Sequence, residues 1–164
     1  KYAQTDALTG LYNKETTEQL TDELLSEDEN KYHAFLILDV DCFKQINDIY
    51  GHAVGDIVLQ KFGKLLKGTF REGDILGRIG GDEFGVIMKN IQTKDIAMKK
   101  AEELLAKTQA YKIDELKGNN ISISIGISTA PQDGDCYMDL YKRADQALYQ
   151  AKRSGKARVC NYFS

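Results

Sequence analysis

One apolar run, HAFLILDVD over residues 33–41, constrains the fold of this chain more than any other feature. Residues 34–38 are all apolar and lack the alternation of a strand that has one face in water. A continuous run of this kind is typical of a strand that is covered on both faces. We therefore predict a central sheet with helices on each side.

The rest of the chain interleaves helical and strand patterns. Apolar periodicity predicts helices over about residues 14–25, 53–69 and 93–110, and a last helix that follows Asp135 and ends near Gly155. DILGRI and EFGVIM predict a hairpin, ISISIGIS a strand with one buried face, and KARVCNYF an edge strand. Thr93 and Asp135 are the predicted N-caps. The predicted fold class is an α/β (α+β) sandwich, in which a central mixed, largely antiparallel sheet is flanked by helices.

Length, charge and cysteine usage narrow the class of protein. A chain of 164 residues is most simply one domain, so we assign residues 1–164 to a single unit. A net charge of -3 argues against non-specific nucleic-acid binding, and no apolar run approaches the roughly 20 residues of a membrane helix. Three widely spaced cysteines without Cys-x-x-Cys spacing favour free thiols in a reducing compartment. We expect a cytoplasmic domain that contacts neither nucleic acid nor membrane.

Two pairs of acids stand where buried strands end. Asp82 and Glu83 lie in the turn of the predicted hairpin, GRIGGDEFG, and taken alone this turn is structural, with two glycines that supply positive φ. Asp39 and Asp41 close the apolar strand, and side chains two residues apart point to the same face. If the turn lies beside that strand end, three or four carboxylates converge, and their repulsion calls for a hard cation. Oxygen ligands favour Mg²⁺ or Mn²⁺, which complete their shell with water and phosphate oxygens, so the pattern predicts a nucleoside triphosphate site.

Residues 43–56, FKQINDIYGHAVGD, lie between the two acid pairs. Lys44 can neutralise phosphate charge, and the amide of Asn47 and the carboxylate of Asp56 can bind the edge of guanine. The alternative is structural: Lys44 is solvated, Asn47 caps a turn, and Asp56 caps the next helix. His52 has no partner at ligand spacing and is expected to make a loop or core contact.

Five motifs occur in order along the chain: DALTGLYNK, DVDCFKQINDIYGHAVGD, RIGGDEF, SIGIS and ADQALYQAKRSGK. Together they resemble the GGDEF domain, the catalytic module of bacterial diguanylate cyclases. The resemblance implies a fold like that of nucleotidyl cyclases and polymerase palm domains. It also implies condensation of two GTP molecules into cyclic di-GMP with release of pyrophosphate. We expect residues 1–5 to be the end of a linker from an upstream regulatory domain, and any membrane anchor of the full-length protein to lie upstream.

The resemblance also implies a role for individual positions. Asp39, Asp82 and the carbonyl of Val40 correspond to the family's magnesium ligands. Positions with a catalytic role are Asp82, Glu83 and Lys44, with Asp82 the usual proton acceptor. Positions that contact the substrate are Asn47, His52, Asp56, Lys152 and Lys156, the last of which is arginine in many relatives. Arg71 and Asp74 of REGD match an RxxD element that binds product at an inhibitory site; a surface ion pair in a charged turn is the alternative.

The family's reaction joins two substrates that are bound to two domains, so the resemblance implies that a homodimer is needed for catalysis. One alternative is a signalling module that binds GTP or cyclic di-GMP without catalysis. Another is an enzyme that makes an adenine-containing cyclic dinucleotide, but a carboxylate at Asp56 suits the donors of guanine better.

Overall fold

The computed structural model describes residues 3–27 and 31–163, so residues 1 and 2 of the predicted linker lie outside it. Within these ranges five strands form one sheet in the order β2-β3-β1-β4-β5. Their bounds are Tyr32–Val40 for β1, Ile75–Arg78 for β2, Glu83–Ile91 for β3, Ile123–Ala130 for β4 and Val159–Asn161 for β5. The β4–β5 pair is parallel and the other pairs are antiparallel, so the predicted mixed sheet is confirmed.

Helices cover both faces of the sheet, as the apolar run predicts. Their bounds are Lys14–Glu27 for α1, Phe43–Tyr50 for α2, His52–Thr69 for α3, Lys94–Ala110 for α4 and Tyr137–Arg153 for α5. Leu36 and Leu38 of β1 pack into a core that α3 and α4 complete. The alternate residues Phe35 and Ile37 pack into a second core with α1 and α5. Strand β1 is therefore central, and it is buried on both faces.

Strand β4 differs from its prediction, since both of its faces are buried rather than one. The small residues that alternate with its isoleucines lie beneath α5 instead of facing water. A Cβ on Gly126 would lie 2.2 Å from the carbonyl oxygen of Ala144, so helix and strand touch backbone to backbone. Ser128 donates a hydrogen bond of 2.8 Å to the carbonyl of Leu140. The small residues that alternate with isoleucine in β4 thus allow α5 to pack closely, and the prediction of one exposed face was wrong.

Three local predictions also need correction. Helix α2 was not predicted; it is eight residues long and has no fully buried residue, although Phe43, Ile46 and Tyr50 pack partly buried against the core. Cys136 rather than Asp135 occupies the N-cap position of α5, and the first helical amide, that of Tyr137, binds Asp22 of α1 at 2.7 Å. Thr93 is at the predicted N-cap of α4, but its hydroxyl binds Asp95 instead of a backbone amide.

No helix in the described ranges is both long and apolar enough to cross a membrane. All three cysteines are free thiols, as their spacing predicts.

Candidate active site

The acids of the hairpin lie in a tight turn between β2 and β3. Arg78 pairs with Phe84, and the amides of Ile79 and Gly80 both donate to the carbonyl of Glu83, at 2.9 and 3.1 Å. Neither Gly80 nor Gly81 has a positive φ, so the predicted conformational reason for the two glycines was wrong. A Cβ on Gly81 would meet no atom within 4 Å. Glycine there leaves the outer side of the turn open to a bulky group.

Arg78 fastens this turn to the N-terminal segment. Its Nε and Nη2 donate to the carbonyl of Gly81 at 3.0 and 2.8 Å, and its Nη1 reaches both carboxylate oxygens of Asp6 at 3.2 and 3.3 Å. Arginine can do this because its planar fork serves two acceptors at once. The sequence analysis missed this arginine, although it stands directly before the turn. Arg78 therefore links the carbonyl of Gly81 in the turn to the carboxylate of Asp6.

The turn lies beside the end of β1, as the convergence of acids requires. Asp39 pairs with Glu83 across β1 and β3, and the amide of Val40 donates to the carbonyl of Asp82 at 3.3 Å. Burial raises the pKa of Asp39; Lys152 lowers it, and the charges of Asp82 and Asp41 raise it again, leaving the pKa above its ordinary value. The predicted proximity of Asp39, Asp82 and Glu83 is therefore confirmed.

Asp41 has a different environment from Asp39, although both carboxylates leave the same strand. Ser122 and Ser124 donate their hydroxyls to its two oxygens at 2.6 and 2.7 Å, and the amide of Ala157 donates at 3.1 Å. The side chain is buried and each of its oxygens already accepts a hydrogen bond. Asp41 thus ties the loop after α5 to the end of β1, and it does not belong to the group of carboxylates that is open to a ligand.

Glu83 is held by a residue that the sequence analysis did not assign to the site. The hydroxyl of Tyr141, on α5, donates to Oε1 of Glu83 at 2.9 Å. Burial raises the pKa of Glu83 above its ordinary value. The hydrogen bond from Tyr141 lowers this pKa, whereas the charges of Asp145, Asp39 and Asp82 raise it further. Burial raises the pKa of Tyr141, and the hydrogen bond to Glu83 raises it further. The hydroxyl therefore stays protonated and acts as a donor.

Two lysines expected to contact the substrate, Lys152 at the end of α5 and Lys156 just after it, lie near the end of β1. Lys152 Nζ donates to Asp39 Oδ2 at 2.5 Å. Burial acts against the charge of Lys152, but the hydrogen bond to Asp39 and the charges of Asp39, Asp41 and Asp82 raise its pKa overall. Lys156 follows the helix with a left-handed φ of 63° and donates to the Cys42 thiol at 3.2 Å, at the start of α2. Both ammonium groups therefore border the end of β1.

The predicted guanine-binding residues lie where α2 meets α3. A Cβ on Gly55 would lie 1.9 Å from Asn47 Oδ1, so the amide of Asn47 rests on the first turns of α3, next to Asp56. His52 and Asp56 are exposed, and so is Lys44 on the first turn of α2. The structural alternatives for Asn47 and Asp56 were wrong, because Asn47 is inside α2 and Asp56 lies five positions into the helix Asp56 was expected to cap.

Arg71 and Asp74 lie just before β2, at the opposite end of the hairpin from the acidic turn. Asp74 is buried; it accepts the amide of Arg71 at 3.2 Å and the amide of Lys89 at 3.1 Å. The side chain of Arg71 is 61% exposed, and its Nη2 donates to Asp74 and to the carbonyl of Lys89. A cavity of about 490 Å³ opens on the same turn. Asp74 thus supports the turn, while most of Arg71 remains accessible.

The residues at the end of β1 suit a hard cation. Oδ1 of Asp39 is buried, and no described residue donates to it. The nearby carboxylates and backbone carbonyls supply only oxygen, which is the donor type that Mg²⁺ and Mn²⁺ prefer. A second acidic group, Asp135, Cys136 and Asp139, has ligand atoms within 4.8 Å of one another. It lies at the far end of α5, about 25 Å from Lys152 along a helix of 17 residues, and is separate from this site.

Comparison with known proteins places these features in a family. A family model described as "Diguanylate cyclase, GGDEF domain" matches residues 3–158. Diguanylate cyclase A of Treponema denticola is 40% identical over 127 residues, which are 77% of this chain and 34% of that protein. The chain spans between 34% and 45% of the length of the first three curated relatives.

Solved structures agree with the family match. The GGDEF domain of TpbB from Pseudomonas aeruginosa has a TM-score of 0.91 and 33% identity, covering 97% of this chain and 94% of that one. The GGDEF domain of DgcB from Caulobacter crescentus, solved in complex with c-di-GMP, has a TM-score of 0.90 and 27% identity, covering 100% and 96%. The predicted resemblance is confirmed over almost the whole chain, which belongs to the GGDEF domain family.

Proposed function

We propose that this domain is a diguanylate cyclase, which condenses two GTP molecules into cyclic di-GMP and releases two pyrophosphates. The observation that carries the proposal is the adjacency of the signature acids Asp82 and Glu83 to Asp39 at the end of β1. Because Lys152 and Lys156 border the same strand end, the site offers oxygen ligands for a cation and ammonium groups for phosphates. That combination suits a nucleoside triphosphate better than an uncharged ligand.

The ion we propose is Mg²⁺ or Mn²⁺, held by the carboxylates of Asp39 and Asp82 and the carbonyl of Val40. When bound, it would supply neutralisation of phosphate charge and acidification of a hydroxyl. The buried and unpartnered Oδ1 of Asp39 supports this assignment, because such an oxygen is costly to leave without a donor or a cation.

The protein groups bind and orient the triphosphate. Lys44, Lys152 and Lys156 neutralise phosphate oxygens, and His52 contacts the substrate. Asn47 rests against Gly55, the residue before Asp56, and at the edge of guanine the amide of Asn47 donates and accepts while the carboxylate of Asp56 accepts.

The reaction is an in-line displacement at phosphorus. The 3′-hydroxyl oxygen of one GTP forms a bond to the α-phosphorus of the other, and the bond from that phosphorus to pyrophosphate breaks. Asp82 accepts the proton of the 3′-hydroxyl, and Glu83 lies next to Asp82 at the reacting groups. The step occurs twice in each product, and both substrates must be held in register.

Since one domain binds one GTP, we propose that catalysis needs a homodimer in which two sites face each other. Activity per mole should therefore rise with protein concentration. A parallel coiled coil fused upstream of residue 1 should raise it further through effective concentration. Constant activity per mole across the micromolar range, with and without the fusion, would contradict a site shared by two domains.

We also propose that cyclic di-GMP inhibits the enzyme by binding at Arg71 and Asp74. The exposed side chain of Arg71 and the adjacent cavity support the proposal, because an arginine fork can donate to O6 and N7 of guanine. Arg71→Ala should abolish noncompetitive product inhibition without lowering initial turnover, whereas Glu72→Ala, a change in the same turn, should leave inhibition intact. Equal inhibition of Arg71→Ala and the unchanged protein would exclude Arg71, and relief by excess GTP would place the product in the active site.

The decisive experiment incubates the purified protein with GTP and Mg²⁺ and identifies the product by chromatography and mass spectrometry. We expect cyclic di-GMP, and a loss of at least about a hundredfold in Asp82→Asn while the fold is retained. Binding of GTP without turnover would favour the non-catalytic module, and an adenine-containing product from a GTP and ATP mixture would favour the other enzyme. Because GTP and its product are cytoplasmic metabolites, the same proposal places this domain in the cytoplasm.

A further inference from the structure

Tyr141 contacts one of the two signature acids but belongs to no motif of the predicted site. Its hydroxyl donates to Oε1 of Glu83 at 2.9 Å, across 58 residues of sequence and from a different element. Among residues 3–27 and 31–163, no other side chain or amide donates a hydrogen bond to the carboxylate of Glu83. The nearby charges of Asp145, Asp39 and Asp82 repel this carboxylate. Tyr141 is thus the one described group that holds Glu83 against that repulsion.

The tyrosine is itself fixed by its surroundings. Its ring stacks on that of Tyr137 with a centroid distance of 5.9 Å and an interplanar angle of 25°. Tyr137 is fully buried and meets Phe35 of β1 edge to face at 5.4 Å. Because α5 rests backbone to backbone on Gly126 of β4, the helix that carries both tyrosines has little freedom to shift. The donor therefore points in one direction before any substrate binds.

We infer that Tyr141 is a positioning residue, which holds Glu83 by its Oε1 so that Oε2 is presented to the reacting groups. The inference rests on the proposed cyclase reaction, in which Glu83 borders the cation and the substrates. A glutamate on a strand end has three side-chain torsions, and one fixed hydrogen bond removes most of the orientations that would turn it away from Asp82. Such supporting partners typically contribute about tenfold to a hundredfold to the function of the group they hold.

The test compares two matched substitutions on one helix, Tyr141→Phe and Tyr137→Phe. Each removes one hydroxyl and keeps the ring and its stacking, but only the first removes the donor to Glu83. We expect Tyr141→Phe to lower kcat by about tenfold to a hundredfold while KM for GTP changes less than about threefold. Tyr137→Phe should leave both constants at the values of the unchanged protein. Both variants are compared at a protein concentration where activity per mole is constant.

A second readout does not depend on turnover. In metal-free protein labelled with ¹³C at glutamate, the carboxyl resonance of Glu83 is assigned from its loss in Glu83→Gln. It should shift in Tyr141→Phe, which frees Oε1, and stay in place in Tyr137→Phe. If the unchanged protein makes no cyclic di-GMP, the proposed reaction fails, but a shift confined to Tyr141→Phe still establishes the hold on Glu83. An unmoved resonance, unchanged kcat in Tyr141→Phe, or an equal loss of kcat in both variants would overturn the inference.

Discussion

Replacing Asp41 by alanine should destabilise the protein far more than the same change at Asp39, although both acids end the same strand. Asp41 accepts three hydrogen bonds, from the hydroxyls of Ser122 and Ser124 and from the amide of Ala157. Hydrogen bonds to charged groups contribute about 1.5–3 kcal/mol each. The two hydroxyls can rotate to other acceptors, but the amide cannot, so we expect a loss of about 3 kcal/mol in the free energy of unfolding.

The measurement is urea unfolding followed by far-UV circular dichroism in EDTA, with thermal unfolding as a second reading. For a chain of this size, about 3 kcal/mol corresponds to a decrease in Tm of roughly 6–12 °C. Asp41→Asn should cost less, because its amide keeps one acceptor and can donate to a serine hydroxyl in place of the other. Asp39→Ala should stay within about 1 kcal/mol, since it removes a buried oxygen that has no donor. Comparable losses at Asp39 and Asp41 would refute the division of roles between them.

Other predictions concern packing, a buried hydroxyl and pH. Gly126→Ala should cost about 3 kcal/mol or more and lower activity, because its Cβ would lie 2.2 Å from the carbonyl oxygen of Ala144; wild-type thermal stability would contradict the close packing of α5 on β4. Tyr137→Phe should raise the free energy of unfolding by about 1 kcal/mol, because the hydroxyl is buried without a described hydrogen-bond partner. A loss of stability would contradict this, since it would mean that the hydroxyl has a partner. The folded-state pKa of Glu83 is raised above the ordinary value of 4.5, so in EDTA its contribution to stability should be lost as the pH rises through that pKa. Glu83→Gln should remove this part of the pH dependence, and identical stability curves of the two proteins from pH 4 to 8 would contradict the direction of the shift.

The sequence predicts the fold correctly where the buried residues are large and apolar, and incorrectly where they are small. Residues 35–38 of β1 are all large and apolar, so the strand and its burial on both faces can be predicted from them. In β4, Ser124, Gly126 and Ser128 look like a solvent-facing set, but the backbone of α5 lies on Gly126 and Ser128, and the hydroxyl of Ser124 binds Asp41. The pattern of polarity alone cannot distinguish a strand face in water from one beneath a closely packed helix, since small residues occur on both. Helix α2 was missed because it spans only eight residues and its apolar side chains, Phe43, Ile46 and Tyr50, are only partly buried against the core.

The site is predicted less completely than the fold because sequence locates acids without revealing their donors. Asp39 and Asp41 look equivalent in DVD, and only the tertiary structure shows that serines of β4 and an amide of the loop after α5 occupy Asp41. The alternating serines before Gly126 were the available signal, since spacing by two puts their hydroxyls on one face. Tyr141 carried no such signal, because on its helix it reads as one more core aromatic.

The division of partners among the acids leaves only some of their oxygens available to the proposed cation and phosphate. Asp41 is occupied by three neutral donors, and Glu83 gives one oxygen to Tyr141. Asp39 gives one oxygen to Lys152 and keeps the other, and no described residue donates to the side chain of Asp82. The carboxylate oxygens that have no donor therefore lie on one strip, between the end of β1 and the open side of the hairpin turn. The carboxylates of Asp39, Asp82 and Glu83 outnumber the single described lysine that borders that strip, so an anionic ligand would have to arrive with a cation, while Lys152 offers it one positive charge.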